Sequence, residues 1–406
     1  MVGIIISEKD ESSFKNFFLA MSELGISTFA TSIFTVLILW IAISVTRSPL
    51  ITGVTSALLT APLLLSILVG AEIDRINNKR IIAIAASLLK SFSIAILFPV
   101  FYFHSASYET VLLFTSAILF GVSIDFLVPI RAIWYQRFLK KHRYLKGMSV
   151  VSLLSNICGL IGYLVAGFII VLNIRFSIGV VMILYIFSTM PIIFISNVKV
   201  IEKNRMKFTE VMKEGLRYIV SSRVVLGIIV ISAISGLFLG MTDSASTVLI
   251  NKVFNLNSSY LSYTFFTITI GGILGSILAS SLKAIKSVGK KLSLLFLASG
   301  ISFLFITIFM NIFLLLVVFF VVGFLSGIAT PMISAIFFAN VSQEKMGRVQ
   351  GAMDTVGTSF SSMSGILAGV IMTITFSGNV FIIMAAGLIV LSILILRFKF
   401  LWNKNI

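Results

Sequence analysis

The chain has 406 residues, of which 58% are hydrophobic and only 11% charged, with a net charge of +17. Soluble domains carry about 25% charged residues, so this balance excludes an ordinary water-soluble protein. The basic residues fall between apolar segments, which argues against nucleic acid as their partner, and the single cysteine, Cys158, excludes an intrachain disulfide and any multi-cysteine metal site.

A membrane-spanning helix needs about 20 mostly apolar residues. Twelve such stretches follow one another, at 18–44, 50–72, 81–103, 109–131, 148–172, 174–196, 223–249, 260–282, 291–310, 312–338, 350–374 and 377–397. Residues 1–17 carry Glu8, Asp10 and Glu11, and the first apolar stretch is long enough to span, so no cleavable signal peptide is expected. No alternating pattern recurs, which argues against a β-barrel. Helices satisfy their own backbone polar groups, as hydrocarbon demands. The predicted fold class is an all-α membrane protein with 12 transmembrane helices.

Lys and Arg set the orientation. One side of the predicted membrane collects 27 of them; the other has three, Arg47, Arg175 and Lys252, and Lys90 sits inside the third span. The basic side is read as cytoplasmic, with both termini on it, in a plasma membrane. Trp40, Trp134 and Trp402 fall near predicted membrane edges, where amphipathic rings are favoured. The polar stretch 197–222 divides the chain into halves of six spans each, 1–196 and 223–406. An offset of 202 matches Leu24-Gly25-Ile26 with Leu226-Gly227-Ile228, Gly121 with Gly323, Pro129 with Pro331, and Ala166-Gly167 with Ala368-Gly369. Two parallel six-helix pseudo-repeats are a transporter plan.

The loop between the second and third spans reads GAEIDRINNKR from Gly70 to Arg80. Its Gly70, Asp74, Arg75, Lys79 and Arg80 resemble the signature of the major facilitator superfamily at this loop, with Asn77 standing where a glycine is common. The wider chain resembles the exporter branch that holds the enterobactin exporter and macrolide efflux proteins. That likeness is carried by TRSPL from Thr46, Lys90, Pro129-Ile-Arg131, EGLRY from Glu214 and MGRVQG from Met346. The resemblance implies the major facilitator fold. It also implies a latch, in which Asp74 meets the start of the eleventh span, where a helix N-terminus favours negative charge, and the bases pair with nearby acids or headgroups. A plain positive-inside anchor is the alternative. The matching position in the second half is Ala279, so a latch is one-sided.

Acids inside spans usually face a cavity or a partner. They are Glu23, Asp125, Asp243 and Asp354, in spans 1, 4, 7 and 11. The resemblance implies that spans 1, 4, 7 and 10 line the substrate cavity. A carboxylate taken out of water holds a proton more readily, which proton-coupled antiport requires. Asp243, beside Thr242, Ser244 and Ser246, is the first candidate for a proton or substrate contact; an outer-rim acid is its alternative. Glu23 either couples or reaches water at the cytoplasmic end. Asp125 either couples or pairs with Arg75 or Arg80. Asp354 is expected at the surface. Lys90 is expected to snorkel to the headgroups or to pair with an acid, in a structural role. Small residues allow close helix packing or sliding: Gly159, Gly162 and Gly167 in the fifth span, and Gly357, Ser361, Ser364, Gly365 and Gly369 in the eleventh. The fifth span reads Gly162-Tyr163, without the Gly-Pro pair of some drug–proton antiporters.

The expected function is secondary transport, by proton-coupled efflux of amphipathic small molecules such as drugs or siderophore-like compounds. A facilitator or importer of a polar metabolite is the alternative. An enzyme has little support: the two histidines, His104 and His142, fall in loops, and neither a zinc motif nor a phosphate-binding loop is present. A sensor lacks an output module. No cofactor or metal is expected. The expected partners are a small-molecule substrate, protons and the lipid bilayer, with a monomer as the default state.

Overall fold

The computed structural model describes residues 8–65, 78–102, 105–139, 144–196, 217–281, 287–341 and 346–398, together with Val69, Ile73 and Ile76. Among them every regular element is helical. In chain order these are α1 (Glu8–Thr46), α2 (Pro49–Thr60), α3 (Lys79–Ala95), α4 (Ala106–Phe138), α5 (Tyr144–Leu172) and α6 (Ile174–Phe194). They continue with α7 (Arg223–Val253), α8 (Ser258–Ser281), α9 (Val288–Ile308), α10 (Ile312–Asn340), α11 (Met346–Ile374) and α12 (Asn379–Arg397). Eleven are long and apolar enough to cross a membrane; α2 with its 3₁₀ turn ends at Leu65, and most of the expected remainder of that span lies outside the described residues. The twelve expected spans thus correspond one for one to helices of a multi-pass membrane protein.

Polar residues mark where the helices begin. Ser48 accepts from the Ile51 amide and Pro49 opens α2, as N-cap serine and N1 proline do. Arg47 takes the left-handed conformation at φ 52°, and the Ser48 amide donates to Thr46 Oγ1 at 3.2 Å. The TRSPL sequence is therefore a tight helix–helix corner. Asn173 and Asn311 cap α6 and α10 in the same way.

The helices carry exposed apolar stripes suited to lipid. On α5, Leu153, Ile157, Ile161 and Phe168 recur at helical spacing and are exposed. Phe176, Ile183, Phe187, Met190 and Phe194 do the same on α6. Trp40 and Trp134, expected near membrane edges, are buried in protein, Trp134 among the core side chains around Ile130 and Tyr135. Trp402 lies outside the described residues.

The chain forms two compact units. Unit 1 comprises Met1–Leu37 and Leu65–Asn204; unit 2 comprises Ile38–Leu64 and Arg205–Ile406. Within unit 1, α3 packs on α4 and α6. Within unit 2 the closest pairings are α8 with α10, α9 with α12, and α2 with α11.

Glycine explains two of these seams. On α2 and α11, a methyl group at Gly53 would overlap the Gly365 carbonyl, and one at Gly365 would meet the Ala57 amide at 3.0 Å. Gly369 lies equally close to Pro49 and Leu50. On α8 and α10, Gly271, Gly275, Gly323 and Gly327 bring the two backbones together, each against a carbonyl of the other helix.

Proline shapes α4 and α10 at matching places. Pro129 and Pro331 lie inside their helices and lack the amide that would bond four residues back. Behind Pro331 that carbonyl belongs to Gly327, and the Ser276 hydroxyl of α8 donates to it at 3.1 Å.

Candidate functional site

The interior of unit 1 holds a network of charges on α1, α3 and α4. Glu23 is fully buried. Arg131 Nε donates to its Oε2 at 2.7 Å and Arg131 Nη2 to its Oε1 at 2.6 Å. Arg131 Nη2 also donates to Ser27 Oγ at 3.0 Å. Lys90, only 2% exposed, donates to the same oxygen at 2.9 Å. Ser27 thereby offers both lone pairs to cations. The ammonium of Lys90 also lies 5.9 Å from the Phe120 ring centre and 5.7 Å from that of Tyr185, within cation–π range. Phe34 completes the wall, 4.4 Å from Phe120 and 6.5 Å from Tyr185 between ring centres, and Tyr185 Oη bonds Thr31 Oγ1 at 3.4 Å.

Helical spacing assembles this site. Glu23, Ser27, Thr31 and Phe34 lie three or four residues apart and share one face of α1. The two cations reach that face from α3 and α4. Two cations face one carboxylate, so hydroxyl oxygen and aromatic faces supply the remaining stabilisation.

Several expectations change here. Glu23 does not reach water. Lys90 neither snorkels nor touches an acid; it points inward to Ser27. Arg131, counted with the loop bases, is a half-buried member of the network, and Lys79 is buried.

Asp125 lies on α4, 2% exposed. Its Oδ1 is buried with no hydrogen-bond partner. Pro129 also deprives its backbone carbonyl of the usual donor. Arg80, a proposed partner of Asp125, instead donates to the carbonyls of Ile193 and Ile195 at 3.4 and 3.5 Å, tying the start of α3 to the end of α6.

Gly70, Asp74 and Arg75 of the loop lie outside the described residues. Lys79 donates to the carbonyls of Ile73 and Ile76 at 2.8 and 3.1 Å, so this base holds the loop backbone.

In unit 2, α7 is not a regular helix. Its α-helical stretches Arg223–Leu239 and Thr242–Val248 meet at Gly240, and it ends in a π turn at Leu249–Val253. Gly240 packs against Ser364 of α11, where a side chain would overlap it. Asp243 follows this break, half-buried. Its backbone carbonyl accepts from Ser246 and Thr247 at 3.2 and 2.6 Å. Among the described residues no hydrogen bond reaches its carboxylate. Asp354 lies in α11, with its side chain outside the described set.

A cleft of about 390 Å³ in unit 2 is lined by Thr60, Leu63, Ser232, Met353, Gly357, Thr358 and Ser361. Thr60 Oγ1 and Ser362 Oγ lie 2.9 Å apart. Of the glycines expected to pack, Gly365 and Gly369 form the α2–α11 seam already described. Gly162 of α5 lies against Phe29 and Ser32 of α1, where an added methyl would come within 2.6 Å of the Phe29 carbonyl. Gly159 has ordinary spacing to Ser32 and Thr28, and Gly167 is buried.

The sequence profile of the Major Facilitator Superfamily matches residues 22–357. The chain belongs to the Major Facilitator Superfamily. Solved structures share its fold. A structure of the nucleoside transporter NupG aligns with TM-score 0.74 at 11% identity, over 96% of this chain and 99% of that one. A POT family transporter in complex with a thioalcohol-conjugated peptide aligns with TM-score 0.76 at 14% identity, over 96% of each chain. A POT family transporter in complex with 5-aminolevulinic acid aligns with TM-score 0.74 at 14% identity, over 96% of each chain. No curated protein sequence matches the chain significantly.

The 202-residue offset expected from the sequence gives the ionic network a point of comparison. Shifted by 202 residues, Glu23 falls on Val225 and Arg131 on Ile333. Both are buried in the apolar core of unit 2, Val225 0% and Ile333 9% exposed. Unit 2 therefore carries hydrocarbon at the two positions where this offset would place an ion pair.

Proposed function

We propose that this protein is a secondary active transporter that exports amphipathic small molecules in exchange for protons, by alternating access of its two six-helix halves, 1–196 and 223–406, joined by 197–222. The observation that carries this reading is the network of Glu23, Ser27, Lys90 and Arg131, charged groups held inside the helices of unit 1. Buried ion pairs add little stability over hydrocarbon of similar size, and ionisable groups inside a membrane mark transport pathways.

The acids divide into two roles. Glu23 has both oxygens occupied by Arg131; its exchange of partners would gate the cavity. Asp125 has a buried oxygen without a partner, and Asp243 follows the break in α7. Each has an oxygen available to carry a proton. The exporter direction rests on the resemblance of TRSPL, Lys90 and the span 4 ending to efflux proteins. The orientation, with both termini cytoplasmic in the plasma membrane, rests on the distribution of basic residues.

A second reading is a carrier of a polar metabolite. The hydroxyl-lined cleft of Thr60, Ser232, Thr358 and Ser361 favours it, as do the nucleoside and peptide transporters that share the fold.

Proton movement in everted vesicles tests both readings. With a pH gradient imposed, lipophilic cations, macrolides and siderophore-like compounds are added singly. Collapse of the gradient by one compound, absent without the protein, is the expected result. No response across the panel, together with uptake of nucleosides or peptides, would establish the second reading instead.

A further inference from the structure

A groove of about 550 Å³ runs along unit 1 between α1, α5 and α6. Its walls are Phe18, Met21, Gly25, Ile26 and Phe29 of α1, Leu154, Cys158 and Ile161 of α5, and Leu184 of α6, with Ser22 the one hydroxyl. Exposed Phe18 and Ile161 form its lip, and Ile161 belongs to the lipid-suited stripe of α5. On α1 the groove occupies a different face from Glu23, Ser27 and Thr31.

Its length matches one leaflet. From Phe18 to Phe29 the helix rises about 16 Å at 1.5 Å per residue, about half the 30 Å hydrocarbon thickness. One end carries charge. Lys15 is exposed and continues the stripe of Phe18, Ser22, Gly25 and Phe29 at helical spacing. Gly25 lies against Leu154 and Cys158, and Gly162 against Phe29 and Ser32. Thus α1 and α5 run parallel, and the α1 residues on the contacting face lie level with α5 residues about 131 positions later. That register sets Lys146, also exposed, level with Lys15. Lys15 lies about 21 Å along α1 from Phe29 at 1.5 Å per residue, half of a bilayer about 40–45 Å thick with its headgroup regions, so with Phe29 at the midplane the pair would reach the headgroups.

We propose that this groove is a binding site for an anionic glycerophospholipid, with one acyl chain against Gly25 and Cys158 and the phosphate between Lys15 and Lys146. The reasons are a wall of hydrocarbon open to lipid, a leaflet-long span, and two cations at the level of the headgroup. Basic residues beside membrane helices attract anionic lipid through charge; the groove adds the chain contact that fixes it in place. The site is separate from the ionic network and does not depend on the direction of transport or on its substrate.

The single cysteine provides the probe. Full-length protein is placed in nanodiscs of phosphatidylcholine alone or of phosphatidylcholine with phosphatidylglycerol, and the rate of Cys158 alkylation by N-ethylmaleimide is measured. Phosphatidylglycerol is expected to slow alkylation several-fold. The double variant Lys15→Gln/Lys146→Gln, altered only at exposed positions, is expected to lose that protection. Lys290→Gln/Lys291→Gln, at the start of α9 in unit 2, is expected to keep it. Equal rates in the two lipids would overturn the proposal, and so would equal loss of protection in both double variants, which would mean general surface charge. Protection by a transported compound but not by phosphatidylglycerol would also overturn it, and would make the groove a substrate route.

Discussion

The Glu23–Arg131 pair can be tested with the protein's own repeat. Glu23→Val places in unit 1 the residue that stands at the matching point of unit 2, and Arg131→Ile does the same for its partner. Glu23→Val alone removes two short charge-assisted hydrogen bonds and leaves Arg131 buried without a counterion. Removing one member of such a pair costs about 3–5 kcal/mol. At about 1.2 °C per kcal/mol for a chain of this length, the melting temperature should fall by roughly 4–6 °C. Replacing both members by apolar groups ranges from neutral to a gain of about 1–4 kcal/mol, so Glu23→Val/Arg131→Ile should melt near the wild type. Thermal unfolding of purified protein reads this stability, and gradient-driven flux in vesicles reads function. The double variant should be stable and unable to transport. A double variant as unstable as the single would show that the charges hold the fold together. One that transports at the wild-type rate would remove the network from the mechanism.

Asp243→Asn should uncouple or abolish transport while the protein inserts normally; unchanged pH-gradient-driven flux would rule it out as a coupling acid. Asp74→Asn should slow transport with insertion intact, and wild-type rates would dispose of the latch. Gly53→Leu should separate α2 from α11, because its side chain would collide with the Gly365 carbonyl; reduced thermal stability and flux are expected, and an unaltered melting curve would show that the seam can part without loss. Ser276→Ala leaves the Gly327 carbonyl behind Pro331 without its 3.1 Å donor and should lower stability by about 1 kcal/mol, measured as a small fall in melting temperature.

Much of the fold was legible because hydrocarbon thickness acts on sequence directly. A run of apolar residues becomes a spanning helix, and the order of the helices followed from this rule, while α1 and α4 run well past the expected spans. The local breaks were less visible. The π turn at the end of α7 involves Asn251 and Lys252, neither of which disrupts a helix by itself. The site was legible as residue types and not as partners. Glu23 and Lys90 stood out as charges in apolar segments, but Arg131 was hidden by its place near the end of span 4, where it resembled a loop anchor. Partnership depends on which helix face meets which, and apolar stretches that are hydrophobic all round carry little facial information. The α8–α10 seam was missed for a related reason: its glycines are spread over two distant segments, and only their juxtaposition gives them meaning.

The contact of α2 with α11 has one more property. At Gly53, Gly365 and Gly369 the two helices meet mainly backbone to backbone, with Ser56 the side chain nearest Gly365, and the Thr60–Ser362 hydroxyl contact ties them farther along. Interdigitated leucines act as gear teeth: to shift past one another, each must leave its notch through a strained rotamer. A backbone-to-backbone contact is smooth. Displacement along it would change dispersion energy gradually, with the Thr60–Ser362 hydrogen bond the tie to break, so this seam is built like a sliding bearing, and a single methyl group placed on it would act as a stop.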